Sequence, residues 1–338
     1  MKNKRLLSVV ALIIIFLGVS FVMQKLEMKQ TTKADSKELT VGVLQFVSHP
    51  ALDTIYEGIQ AGLKEEGYEV GKNLKIEFQN GQADQSKLNT MSQQLISQKA
   101  DVLIGIATPA AQALANQTTE IPIVLGAITD PKSANLVADN QHPGGNITGV
   151  SDQSPVDAQL ALARKILPQA KKIGILYSSA EDNSAFQAEK VEQEASKLGF
   201  ETKRYPVPSG NEISQMVQVM SSEVDFIYIP TDNTIANAMQ IVVDIANKNN
   251  VPIIPSVDTM VAEGGLATVG INQYELGLQT GRMAADILAG KAKPATTPIF
   301  TFSSGDIIIN DEQAKKLGIT IPADVLAEAK ISHSQTDK

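Results

Sequence analysis

From Leu39 onward, short apolar runs alternate with longer stretches that carry apolar residues on one side only. LTVGVLQF (39–46) reads as a strand. ALDTIYEGIQAGLKEEGY (51–68) brings Leu52, Ile55, Tyr56, Ile59 and Leu63 to one face of a helix. LKIEFQ (74–79) alternates like a strand, and the next helical stretch, 83–100, places Leu88, Met91, Leu95 and Ile96 together. DVLIGIA (101–107) is a buried strand, PAAQALANQ (109–117) a short helix and IPIVLGA (121–127) a further strand. Strands separated by helices predict parallel pairing through βαβ crossovers.

The pattern then begins again. KKIGILYS (171–178) parallels the first strand, VDFIYIP (224–230) parallels DVLIGIA, and VPIIPS (251–256) parallels IPIVLGA. Helices are expected at about 184–198 and 211–222 and as one piece over 235–250, with a strand at TKRYPV (202–207). Matched positions lie 124 to 132 residues apart: Asp101 and Asp225, Ile121 and Val251, Val41 and Ile173. The expected fold class is therefore α/β: two similar doubly wound parallel-sheet lobes, 39–147 and 148–271, joined by a multi-strand hinge. HPGGNITGVSD (142–152) is a candidate hinge strand. Residues 272–331 hold an interface helix, return strands (PIFTF, DIIIN) and C-terminal helices, and 332–338 form a tail.

The N-terminus differs. Lys2, Lys4 and Arg5 precede an apolar stretch at 6–23, a secretory signal or signal-anchor that leaves the rest outside the cell. Gly18 and Ser20 are small enough for a cleavage site, but no Ala-x-Ala follows, which favours retention. Residues 24–38 are polar and without period, a tether.

Composition removes several function classes. The chain of 338 residues has no cysteine, which excludes disulfides, thiolate metal sites and a lipid-modified N-terminal cysteine. Its formal charge is −8, and the first 38 residues alone carry an excess of four basic groups, so the rest is more acidic still. Nucleic acid is not an expected partner of that surface. No cofactor or metal motif is present.

Open parallel sheets bind ligands beyond the carboxyl ends of their strands. The six turns at that edge are QFVSHPALD, ATPAAQ, AITDPKSA, YSSAEDNSA, PTDNTIA and PSVDTM. They are rich in Ser, Thr, Asp and Asn, as caps and turns also are, yet all six fall on one predicted edge. Thr108 is the expected N-cap, Pro109 the first helical residue, and Ala110 and Ala111 follow with free amides. That is a seat for a carboxylate; it lacks the lysine of a phosphate loop. Thr129 is a second donor. Glu181, Asp232 and Asp258 in the other lobe are candidates for holding an ammonium group. Gln45, Ser48, Asp152, Asn183 and Asn233 complete the candidate lining, with Tyr177 favoured over Phe46 as its aromatic member. Polar grips of this kind contribute about 0.3–1 kcal/mol each. Burying an aromatic side chain contributes roughly 4–6 kcal/mol, so the side chain decides strength.

These turns, together with PGGNITGVSD, TVGINQYELGLQTGRMAADIL and IIINDEQAKKLGITIP, resemble the substrate-binding proteins of bacterial ABC importers, in particular the tryptophan/tyrosine-type group. The resemblance covers about residues 39–331. It implies a type I periplasmic-binding fold, capture of an aromatic amino acid between closing lobes, delivery to a membrane permease, a monomer and no catalysis. The group often carries a lipid-modified cysteine, which this chain lacks. The residues themselves reach only a small zwitterion. They leave open a sugar or nucleoside, a solute-sensing subunit, or an enzyme built on His49, the one histidine at a cleft turn.

Overall fold

The computed structural model describes residues 38–332. The signal or anchor, most of the tether and the tail beyond Ser332 lie outside the described residues. The described residues from Leu39 to Ser332 form one compact unit.

The first lobe opens with strand β1 (Leu39–Gln45), helix α1 (Pro50–Glu65), β2 (Leu74–Asn80), α2 (Gln85–Ser97), β3 (Val102–Ile106), α3 (Thr108–Ala115), β4 (Ile123–Gly126) and β5 (Ile147–Ser151). The second contains α4 (Val156–Ile166), β6 (Lys172–Ser178), α5 (Asp182–Lys197), β7 (Glu201–Val207), α6 (Ile213–Met220) and β8 (Phe226–Ile229). It continues through α7 (Asn233–Ala236), α8 (Met239–Lys248), β9 (Ile253–Pro255), α9 (Asp258–Ala262) and β10 (Ala267–Gly270). The chain returns through α10 (Gln273–Leu288) and β11 (Phe300–Thr301), then ends with β12 (Asp306–Asn310), α11 (Asp311–Lys316), α12 (Ala323–Glu328) and β13 (Lys330–Ser332).

The first sheet runs β2-β1-β3-β4-β5-β11 and the second β7-β6-β8-β9, parallel throughout. The two sheets share one winding order, and the match reaches single atoms. Thr40 N–H donates to Asp101 Oδ2 at 2.9 Å while Asp101 N–H donates to Thr40 O at 2.7 Å. Lys172 N–H donates to Asp225 Oδ2 at 2.8 Å while Asp225 N–H donates to Lys172 O at 2.9 Å. Each aspartate closes the turn that enters the third strand of its lobe.

Three expectations about segmentation change. β5 is a strand of the first sheet, pairing with β4 and β11, so the first crossing follows Ser151. The stretch expected as one helix over 235–250 is two, α7 and α8, broken at Asn237-Ala238. The helix expected at the interface, α10, packs on α1 in the first lobe, where four glycines bring the two backbones together. A methyl on Gly277 would lie 2.0 Å from the Ile55 carbonyl oxygen, and one on Gly58 2.2 Å from that of Tyr274. The chain thus crosses after β5, after β10 and after β11. The three-stranded sheet β10-β12-β13 belongs to the second lobe, since Ala267, Val269 and Ile309 join its core.

The cleft and its lining

The carboxyl ends of both sheets face each other, and the turns that leave them enclose a cavity of about 20 Å³. From the first lobe and its crossing segment it is lined by His49, Ala107, Thr108, Ala127, Thr129 and Asp152, with Leu52 behind. From the second come Asn183, Thr231, Asp232, Asn233 and Val257.

The lobes are in contact. His49 Nε2 meets Asn233 Oδ1 at 3.2 Å, Gln187 Nε2 donates to Thr129 Oγ1 at 3.1 Å, Gln112 Nε2 to Asp182 Oδ2 at 2.9 Å, and Gln85 Nε2 to Ala180 O at 2.7 Å. The space left holds about one water. A ligand the size of an amino acid enters only when the lobes part.

At the head of α3 the local chemistry differs from expectation. Ala107, not Thr108, is the N-cap, with φ +73° and ψ 152°; Thr108 is the first helical residue, Pro109 the second, and no side chain caps the helix. The reason is steric. Gly105 and Ala111 pack so closely that a methyl at Gly105 would fall 2.7 Å from Ala111 Cα, and the chain must turn sharply at 107 to start the helix there. Ala111 N–H is also not free, since it donates to Ala107 O at 3.1 Å. The first-turn amides without an intrahelical partner are those of Thr108 and Ala110. The same device recurs after β4, where Ala127 has φ +62°. Two alanines in a region that disfavours L-residues flank one cavity, and strain of this kind costs roughly 1–3 kcal/mol per residue.

The acids separate by role. Glu181 is saturated: Oε1 accepts from Thr234 N–H at 2.9 Å and its hydroxyl at 2.7 Å, and Oε2 from Asn233 Nδ2 at 2.5 Å. Asp232 caps α7, Oδ1 accepting from Ile235 N–H at 2.8 Å and Oδ2 from Ser178 N–H at 2.5 Å. Burial, and then the charge of Glu181, push its carboxyl well above the usual range. Asp258 is the first residue of α9, its Oδ1 accepts from Thr259 N–H at 2.8 Å, and it does not line the cavity.

Asp152 differs from these. Burial raises its carboxyl to about 6, with the Thr129 hydroxyl acting in the opposite sense, and its Oδ1 is buried with no protein partner. Asn183 presents a second orphan acceptor, Oδ1, across the cavity. Its amide orientation is set because Nδ2 donates to Thr231 O at 2.7 Å. Similarly, Asn233 Nδ2 donates to Glu181, so Asn233 Oδ1 faces His49 and His49 carries its proton on Nε2. Burial pulls His49 down to about 4.

Of the ligand-binding candidates named from sequence, Thr108, Thr129, Asp152, Asn183, Asp232 and Asn233 line the cavity together, beside His49. The others do not. Gln45 is buried and donates to Val47 O and Asp53, while Ser48 is exposed and donates to Asp53. Pro109 and Ala110 pack behind Thr108, and Tyr177 and Phe46 belong to the cores of their lobes. Ala107, Ala127, Thr231 and Gln187 were not singled out. Only Gln187 had a readable signal, a polar residue on the inner face of an amphipathic helix.

The family model for ABC transporter substrate binding proteins matches residues 40–332, nearly all of the chain described above. The chain belongs to that family. This binding protein is 38% identical over 289 residues to a tyrosine-binding protein of Clostridioides difficile, covering 85% of this chain and 84% of that one. A Streptococcus pneumoniae domain solved in complex with L-Trp superposes with a TM-score of 0.86 at 51% identity, over 88% of this chain and 100% of its own. A Vibrio cholerae conserved domain protein scores 0.85 at 37% identity, and the ligand-free, open structure of a Clostridium difficile substrate binding protein scores 0.68 at 36%, each over 88% of this chain and all of its own. At near-equal identity, the lower score against the open structure accords with the joined lobes described here. The fold is of the type I periplasmic-binding class, and family membership makes this an extracytoplasmic transport protein with an ABC permease as its partner.

Proposed function

We propose that this binding protein captures an aromatic α-amino acid in the cleft, as a monomer and without catalysing a reaction on it. The carrying observation is the pair of buried, unpartnered oxygens, Asp152 Oδ1 and Asn183 Oδ1, that the two lobes present to one cavity. A buried acceptor without a donor costs free energy, and an ammonium group supplies donors to both at once. Among the described residues, no Lys or Arg lines the cavity. The ligand's carboxylate is then met by dipoles alone: the Thr108 amide and hydroxyl and the end of α3. The ammonium role thereby passes to Asp152 from Glu181, Asp232 and Asp258, whose oxygens are already engaged. The relatives that bind tyrosine and L-Trp support an aromatic side chain, and the apolar 6–23 segment, with no Ala-x-Ala after it, supports a membrane-anchored form.

The test is a thermal-shift and calorimetric screen of residues 39–338 against the twenty amino acids, sugars and nucleosides. A response to tryptophan, tyrosine or phenylalanine is expected. A response to a sugar or nucleoside alone overturns the reading. Mass spectrometry of the native protein distinguishes a retained N-terminus from cleavage near Ser20.

A further inference from the structure

Gln273 opens α10, is 7% exposed and lines the cavity. Its helix packs beside α1, and the starts of both helices reach the cavity, α1 with Ala51 and Leu52. Thr231, Asp232 and Asn233 line it too, but their side-chain polar atoms are already engaged. With these and the proposed ammonium and carboxylate grips set aside, Ala51, Leu52, Ala236 and Val257 remain as an apolar wall for the ligand's side chain. Ala51, Ala236 and Val257 share one apolar cluster across the cleft. His49 and Gln273 are the polar members of that wall.

What Gln273 offers is fixed by its neighbours. Nε2 donates to Ile271 O at 2.9 Å and lies beside the Asp258 carboxylate, which is not part of the cavity lining. Both neighbours are acceptors, so the amide cannot be flipped and Oε1 is the end turned to the cavity. No donor among the described residues reaches that oxygen. The bond to Ile271 lies within one crossing, so it holds whether the lobes are joined or parted. His49 cannot satisfy Oε1 instead, because its neutral ring gives its single proton, on Nε2, to Asn233.

We infer that Gln273 is a specificity-determining residue. Its Oε1 accepts a hydrogen bond from the ligand's ring, so the cleft selects an aromatic side chain that carries an N–H or O–H, an indole or a phenol, over a plain phenyl ring. This rests on the amino-acid reading above. A phenyl ring displaces water from Oε1 and returns no donor, which leaves a buried acceptor unpaired. A site built to hydrogen-bond a ligand's N–H or O–H rejects the analogue without it far more strongly than an apolar pocket rejects a small change of size. The apolar wall supplies affinity to any of these rings, and Gln273 decides among them.

The experiment measures Kd by calorimetry for two ligand pairs in wild type and in Gln273→Met, which keeps the volume and removes the acceptor. One pair is L-tryptophan and benzothienyl-L-alanine, in which sulfur replaces the indole N–H. The other is L-tyrosine and L-phenylalanine. In wild type the donor-bearing member of each pair is expected to bind about tenfold tighter or more. In Gln273→Met both ratios should fall to about twofold or less. Each ratio is taken within one protein, so a general loosening of the cleft cancels. Ratios near one in wild type overturn the inference without any variant, and so do wild-type ratios that survive in Gln273→Met. The amino-acid reading fails differently: none of the four ligands binds, while a sugar or nucleoside does. A spectroscopic readout is the ring N–H proton of bound tryptophan labelled with ¹⁵N in the indole. Its resonance should move upfield from wild type to Gln273→Met; an unmoved resonance places the donor on another acceptor and overturns the inference.

Discussion

His49 Nε2 and Asn233 Oδ1 meet at 3.2 Å across the cleft, and through Asn233 Nδ2 the contact continues to Glu181. A first-lobe residue beside the start of α1 is thus tied to a second-lobe residue at the start of α7. The tie needs a proton on Nε2, which neutral and charged rings both carry; burial outweighs that bond and favours the neutral ring, holding it near pKa 4. In an open cleft the ring returns toward the ordinary value of about 6.5.

The sign follows by linkage. The open form binds the extra proton, so closure is fully favoured above about pH 6.5 and weakens as pH falls toward 4. The limiting slope from this group is about tenfold in closure per pH unit. His49→Gln should flatten the pH dependence of ligand affinity by up to one proton; scattering at pH 7.5 and 5.5 should show wild type opening and the variant unchanged.

Asp152→Asn removes the charge beside the proposed ammonium while keeping the shape. Losing one partner of a buried charge pair costs roughly 2–5 kcal/mol, about thirtyfold or more in Kd. Asn183→Ala, which removes a neutral acceptor, should cost about 1 kcal/mol. Calorimetry with L-tryptophan reads both, and equal losses would refute the division of labour.

Gly277→Ala places a methyl where only 2.0 Å separates it from the Ile55 carbonyl oxygen. Neither backbone can give way without parting α1 from α10, so a loss of upward of about 3 kcal/mol is expected. Chemical denaturation of the 39–338 unit measures it, and a change below about 1 kcal/mol would contradict the packing.

Ala107→Gly relieves a backbone conformation that glycine adopts freely. The strain of roughly 1–3 kcal/mol outweighs the roughly 0.5–1 kcal/mol of extra chain entropy. The melting temperature should hold or rise, while Ala107→Val should lower it. A fall in Ala107→Gly would mean that the positive φ at this position is not strained.

Much of this protein was legible in its sequence because periodicity is a one-dimensional trace of burial. The alternation of apolar runs and amphipathic helices gave the doubly wound lobes. The 124-residue interval between Asp101 and Asp225 proved to be one hydrogen-bonding role used twice. Parallel sheets put every strand-to-helix turn on one edge, which is why five candidates named from those turns line one cavity, joined by Asp152 from the end of the candidate hinge strand. What the residue types alone could not say is which polar atoms are already taken. Glu181, Asp232 and Asp152 are all acids near the same cleft. Only their neighbours in space, Thr234 and Asn233, Ser178 and Ile235, and for Asp152 Oδ1 none, separate two structural acids from one left unpaired. Nor does sequence announce an alanine in a glycine-like conformation, a helix that returns to the first lobe, or a glutamine whose amide reaches across the cleft. Those depend on close approach between segments far apart in the chain, which the folded packing alone decides.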